Sequence, residues 1–196
     1  MGMSFGGAII DFDFHTVVDE LLDEAFRIFI TGNETADELR VKRLQEAGAV
    51  ALQELEVSVN LGDAPLEFGD LLGASFDQYA VGMVGKKTVV IGRFIGLDQD
   101  SYTGGFQACS RKHGPVFVFS FDDSSGTYMF SLFRNGERVR FRSRGNGMSD
   151  DEGTPLPGEP TKEIHPFDHQ MAALEAFVGR SFHDLQEVKM ERFDEA

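Results

Sequence analysis

Tryptophan is absent from this chain of 196 residues, tyrosine occurs three times, and cysteine once, as Cys109. A lone cysteine excludes an internal disulfide and a cysteine-rich zinc site, and it suits a reducing, cytoplasmic setting. Neither neighbouring residue types nor a paired histidine suggests activation of Cys109, which reads as a small buried hydrophobe. Met1 to Ile10 lacks a positively charged start and a sustained apolar run, and no stretch approaches the ~20 apolar residues of a membrane span, so no export signal or transmembrane helix is expected. Basic residues are also scarce. Eighteen Lys and Arg face 33 Asp and Glu, a net charge of −15, which argues against nucleic acid or an anionic membrane as a partner.

What is abundant is phenylalanine, at 19 residues, an aromatic bulk that cannot hydrogen-bond and belongs to packing. At this length one domain spanning 1–196 is expected, with a core that needs no metal or disulfide. Ala8 to Phe14 is a short apolar run broken by Asp11 and Asp13, read as a strand. From Thr16, Val17, Leu21, Leu22, Ala25, Phe26 and Phe29 recur at helical spacing, with Asp19, Glu20, Asp23 and Glu24 on the outer face. A second helix is expected over 34–55. Residues 11–70 carry fifteen carboxylates against Arg27, Arg40, Lys42 and Arg43, making 1–70 an acidic, helical part.

Strands follow. Tyr79 to Val84 and Thr88 to Ile95 flank a Gly85-Lys86 turn, and 97–113 reads as a loop rich in turn formers. Val116 to Phe121 is a near-continuous apolar run, expected as a central strand covered on both faces. Asn135-Gly136 predicts a two-residue hairpin pairing Arg134 with Glu137. Regular pairing then sets Leu132 against Val139, Phe130 against Phe141 and Tyr128 against Ser143 on a buried face. It leaves Arg138, Arg140, Arg142 and Arg144 as a row on the opposite, exposed face. An exposed acidic loop is expected over 145–163. Helices follow over 166–193, with Pro166 at a start, Gly179 as a C-terminal cap and Ser181 with Asp184 as a fresh N-terminal cap. The fold class is therefore α+β: an antiparallel sheet of about five strands from Tyr79 to Arg144, with N-terminal and C-terminal helices packed on it.

Four groups of residues offer chemistry. Ile9-Ile10-Asp11-Phe12-Asp13 resembles the nucleophile loop of haloacid-dehalogenase-type phosphatases. That resemblance implies a Mg²⁺-dependent phosphoester hydrolase in which Asp11 attacks and Asp13 serves as acid and base, with Asp122-Asp123 as the downstream carboxylates. Phe14 and His15 depart from the family's pattern. His165 and His169, four residues apart, lie on either side of Pro166, which puts His165 outside the helix. Capping or surface roles fit them better than metal ligation. The arginine row calls for negative charge across from it, from the chain's own Asp150, Asp151 and Glu152 or from a partner. The acidic face of Asp19, Glu20, Asp23 and Glu24, with Asp37 and Glu38, is either a solvated helix face or a docking surface for a basic protein. No nucleotide loop, serine-nucleophile motif or metal-ligand pattern is present, so no cofactor is expected and oligomeric state stays open.

The run Ser125-Gly126-Thr127-Tyr128, Arg134-Asn135-Gly136 and Asp151-Glu152-Gly153-Thr154-Pro155-Leu156-Pro157 resembles small uncharacterised bacterial cytosolic proteins. Small acidic proteins of that kind resemble, as a class, the immunity proteins of bacterial toxin systems. Net charge, the missing catalytic motifs and single-domain size, with that class-level likeness beside them, lead to the expectation of a non-enzymatic cytoplasmic inhibitor that would occlude a basic toxin or enzyme. The acidic helix face and the arginine row supply Asp19, Glu20, Asp23, Glu24, Asp37, Glu38 and the four arginines as its contact residues.

Overall fold

The computed structural model of the chain describes residues 4–14, 16, 36–55, 57, 59–62, 78–92, 99–145 and 147–195. In chain order the elements are β1 (Ser4–Ile10), α1 (Ala36–Glu54), β2 (Val59–Leu61), β3 (Gln78–Val84), β4 (Lys87–Gly92) and α2 (Gln99–His113). They continue through β5 (Val116–Asp122), β6 (Thr127–Arg134), β7 (Glu137–Gly145), β8 (Met148–Gly153), α3 (Pro166–Val178), α4 (Phe182–Gln186) and β9 (Met190–Glu195). The nine strands form one sheet in the order β2-β9-β3-β4-β1-β5-β6-β7-β8, and every pairing in it is antiparallel. The expected sheet of about five strands is thus overturned. β1, β2, β8 and β9 come from segments outside 79–144, and β1 sits at the centre, between β4 and β5.

Helices cover both faces. One face packs Ile9, Phe117, Phe119, Phe121, Phe130 and Leu132 against Met171, Leu174 and Val178 of α3 and Leu185 of α4. The other packs Ala8, Ile10, Val116, Val118 and Phe133 against Ala51 and Leu52 of α1 and Phe106 and Cys109 of α2. Alternate residues of β5 enter the two cores, so this strand is apolar throughout, as its sequence suggests.

Three further expectations are corrected. Residues 99–113 are a helix rather than a loop. Gly105 lets α2 approach the end of α1 closely, since an added Cβ would lie 2.9 Å from the Leu55 carbonyl oxygen. Residues 148–153 are a strand rather than irregular chain, and 190–195 form β9 rather than extending the last helix. The caps stand as read. Pro166 opens α3, Gly179 closes it at φ 77°, and Ser181 with Asp184 forms a capping box on α4.

Candidate functional site

The Asn135-Gly136 hairpin forms, with both residues at positive φ and Arg134 opposite Glu137. Two residues on, the register slips. Phe133 pairs with Arg138 but Leu132 pairs with Arg140, leaving Val139 as a bulge. One extra residue turns every later side chain to the other face. Phe130 therefore faces Arg142, and Tyr128 faces Arg144. The expected pairs with Val139, Phe141 and Ser143 do not form, and the four arginines do not share a row. Arg138 stays on the α1–α2 side, its guanidinium 4.5 Å from the Phe141 ring centroid and 3.5 Å from Glu152. Arg140, Arg142 and Arg144 turn to the side carrying α3.

There Arg140 is 1% exposed and Glu159, from the chain between β8 and α3, is equally enclosed. The guanidinium grips Glu159 with two donors, Nε to Oε2 at 3.1 Å and Nη2 to Oε1. Its Nη1 donates to Asp151 Oδ1 at 2.5 Å and to the Glu152 carbonyl at 2.8 Å. The Leu156 amide donates to Glu159 Oε2 at 2.8 Å, which ties the connecting chain to the same carboxylate. Burial of this kind is tolerated only with full pairing, and the bidentate fork supplies it. Arg142 donates to Asp151 Oδ2, and Arg144 reaches the same oxygen at 3.5 Å. Burial raises the Asp151 pKa, but the hydrogen bond and charge of Arg140, with Arg142 and Arg144, outweigh it and hold it below the usual aspartate value. The arginines thus find their negative charge within the chain.

His169 of α3 joins this cluster, buried, with Nε2 3.7 Å from Glu159 Oε1. It is not the surface histidine expected, whereas His165 is the N-cap of α3 and accepts from the Phe167 amide. Desolvation and the nearby Arg142 lower the His169 pKa, outweighing the opposing pull of Glu159. A cleft of about 240 Å³ opens beside it, walled by Arg142, Arg144, His169 and residues 160–163. Glu159 carries no local mark in the sequence, and His169 stands out there only by its spacing from His165, which gives no sign of its burial beside Glu159. The bulge brings the arginines to them.

The other candidates lie elsewhere. Asp11 follows β1 and pairs with Lys87. Asp122 sits opposite Ser4, at the far end of β1, where Ser124 and Ser125 hydrogen-bond its carboxylate and keep its pKa low. Six residues at ~3.4 Å separate the two ends by roughly 20 Å, so Asp11 and Asp122 do not meet in one site. Doubly wound parallel sheets gather ligand loops at the carboxyl ends of neighbouring strands, whereas both neighbours of β1 run antiparallel to it. Among the described residues, no group of three or more His, Cys, Asp or Glu is placed to hold a metal ion. Cys109 is buried, and burial, with the charge of Glu54, pushes its thiol pKa up to about 12. Asp19, Glu20, Asp23 and Glu24 lie outside the described residues, and Asp37 and Glu38 fall in the first turn of α1. No described helix is long and apolar enough to cross a membrane.

No protein-family model matches the chain, and comparison with curated proteins and with solved structures finds no match.

Proposed function

We propose that this chain is a non-enzymatic binding protein whose acidic surface docks a basic protein partner, in the manner of a cytoplasmic immunity or antitoxin-type inhibitor. The observation that supports this reading is the direction in which its charge is disposed. Arg140, Arg142 and Arg144 are turned onto Asp151 and Glu159, Arg192 pairs with Asp194, Lys87 with Asp11 and Lys112 with Glu54. Carboxylates such as Asp123, Glu137, Asp150, Asp168, Asp184 and Glu187 are meanwhile exposed. With these cations paired inside the chain and a net charge of −15, the outward field is acidic. Such a field speeds association with a cationic surface and rejects anionic ones.

The arginines drop out of the docking surface in this reading, and the acidic N-terminal residues remain in it. Affinity purification of the tagged chain from its host at low salt tests the idea. A basic protein is expected at one-to-one stoichiometry, released by salt and by Asp19→Lys with Asp23→Lys, and its own activity falls when pure chain is added. Absence of any basic partner at low salt, or a partner whose activity the chain leaves unchanged, contradicts the proposal.

A further inference from the structure

The cleft beside β7 has a charge opposite to that of the whole chain. Its lining carries three positive charges, on Arg142, Arg144 and Lys162, against one negative charge on Glu163, and Asp151, paired with both arginines, adds a second. A local cationic excess inside a chain of net charge −15 marks a place where an anion is attracted. Glu159 and backbone carbonyls take further donors of Arg140, and the Ser143 and Asp150 carbonyls take Nη1 of Arg144, but the single carboxylate of Asp151 is shared among the charges of all three guanidiniums.

Two buried polar atoms at this place have no partner: His169 Nδ1 and Gln170 Oε1. Such atoms are rare in folded proteins and call for an explanation. Both are acceptors. Gln170 donates from Nε2 to the Ser120 carbonyl at 3.0 Å, leaving its oxygen unmatched. His169, held neutral by its burial, carries one proton, and Nε2 is the nitrogen that faces Glu159. Nδ1 is then a lone pair in want of a donor. His169 lines the 240 Å³ cleft, while Gln170 lines an adjoining recess of about 10 Å³. Arg142 and Arg144 border both spaces. The recess admits a water or a hydroxyl at most, and the cleft is below the ~300–1,000 Å³ of pockets for drug-sized ligands.

We propose that this cleft binds a small hydroxylated oxyanion, its charged group held by Arg142, Arg144 and Lys162 and a hydroxyl donating to His169 Nδ1. A bare anion satisfies the arginines but leaves the two acceptors unmet, and a neutral polyol does the reverse. A phosphate monoester of a polyol and a hydroxycarboxylate share the required chemistry. This site uses none of the carboxylates named for the acidic docking surface, so failure of either proposal leaves the other in place.

Calorimetric titration of the full chain with glycerol 3-phosphate and with malate tests the site and distinguishes the two sources. Saturable binding of either compound, with inorganic phosphate and succinate clearly weaker, is the expected result. Lys162 is exposed, so Lys162→Gln keeps the fold and is expected to weaken binding roughly threefold, and Arg142→Gln roughly tenfold. The ¹⁵N resonance of His169 Nδ1 is expected to move during the titration. The proposal is overturned by no binding of either compound up to about 10 mM, by equal affinity for inorganic phosphate or succinate, or by binding that Lys162→Gln and the His169 resonance do not register.

Discussion

β5 and β7 lie two places apart in the same sheet and are held there by opposite means. β5 is buried along Val116 to Phe121 and meets apolar side chains above and below. β7 alternates charge with small or aromatic residues, and Arg140, its largest buried side chain, is an ion. The first strand is placed by removing apolar surface from water, which needs no directional contact. The second is placed by one carboxylate on each side of a guanidinium, and it holds only while each partner is present. Charged groups thus serve as core at the sheet's margin, where β8 alone remains outside. That edge strand carries Ser149, Asp150, Asp151 and Glu152, a composition that resists pairing with another chain.

Removing one partner of the buried ion pair breaks the contrast most severely. Arg140→Ala leaves Glu159 enclosed without its counter-charge and is expected to lower stability by about 3–5 kcal/mol in urea denaturation. A loss below about 1 kcal/mol, as on an exposed edge, shows β7 to be held by its neighbours alone. A second probe acts on the bulge. Gly153 pairs with Arg140 at φ 82°, and a Cβ added there would collide with the Val139 carbonyl oxygen. Gly153→Ala is expected to cost about 1–3 kcal/mol, with chemical-shift changes confined to β7 and β8. Unchanged stability argues that the bulge is not needed.

The smallest effect is acid-dependent. The Asp151 pKa is lower in the folded chain than in an unfolded one, so its contribution is present above the unfolded value and lost as pH falls through the folded value. Asp151→Asn is expected to flatten the fall in urea midpoint between about pH 5 and pH 2. A wild-type slope in the variant assigns acid sensitivity to other carboxylates.

The same two strands explain which parts of the fold are legible in the sequence. β5 is readable because hydrophobic content alone identifies it. The β3–β4 turn and the caps at Pro166, Gly179 and Ser181 are readable because each rests on local backbone chemistry. The faces of β7 are not, since a bulge at Val139 leaves no mark in composition yet reverses Arg140, Arg142 and Arg144. β8 is hidden for a related reason. Asp150 and Asp151 have poor strand propensity, and only the ladder to Ser143 and Arg142 makes them extended. In α2, Gly104 and Gly105 imitate a loop, while Gly105 serves a close approach to Leu55. β9 is missed because Phe182, Leu185 and Val188 continue at helical spacing toward Phe193, masking the alternation from Met190. Of the candidate site, the arginines and Asp151 are legible as charges seeking partners. Glu159 and His169 are brought to them by the tertiary fold.

The central claim, that Arg140, Arg142 and Arg144 of β7 are turned inward onto Asp151 and Glu159, is tested most directly by a double-mutant cycle. Stabilities of the wild-type chain, Arg140→Met, Glu159→Met and the double variant are measured by urea denaturation under one condition. An inward, enclosed pair predicts a coupling above about 2 kcal/mol, with the double variant recovering most of what each single change loses. A coupling below about 0.5 kcal/mol, the range of solvent-exposed pairs, contradicts the register slip at Val139 and the disposition of charge built on it.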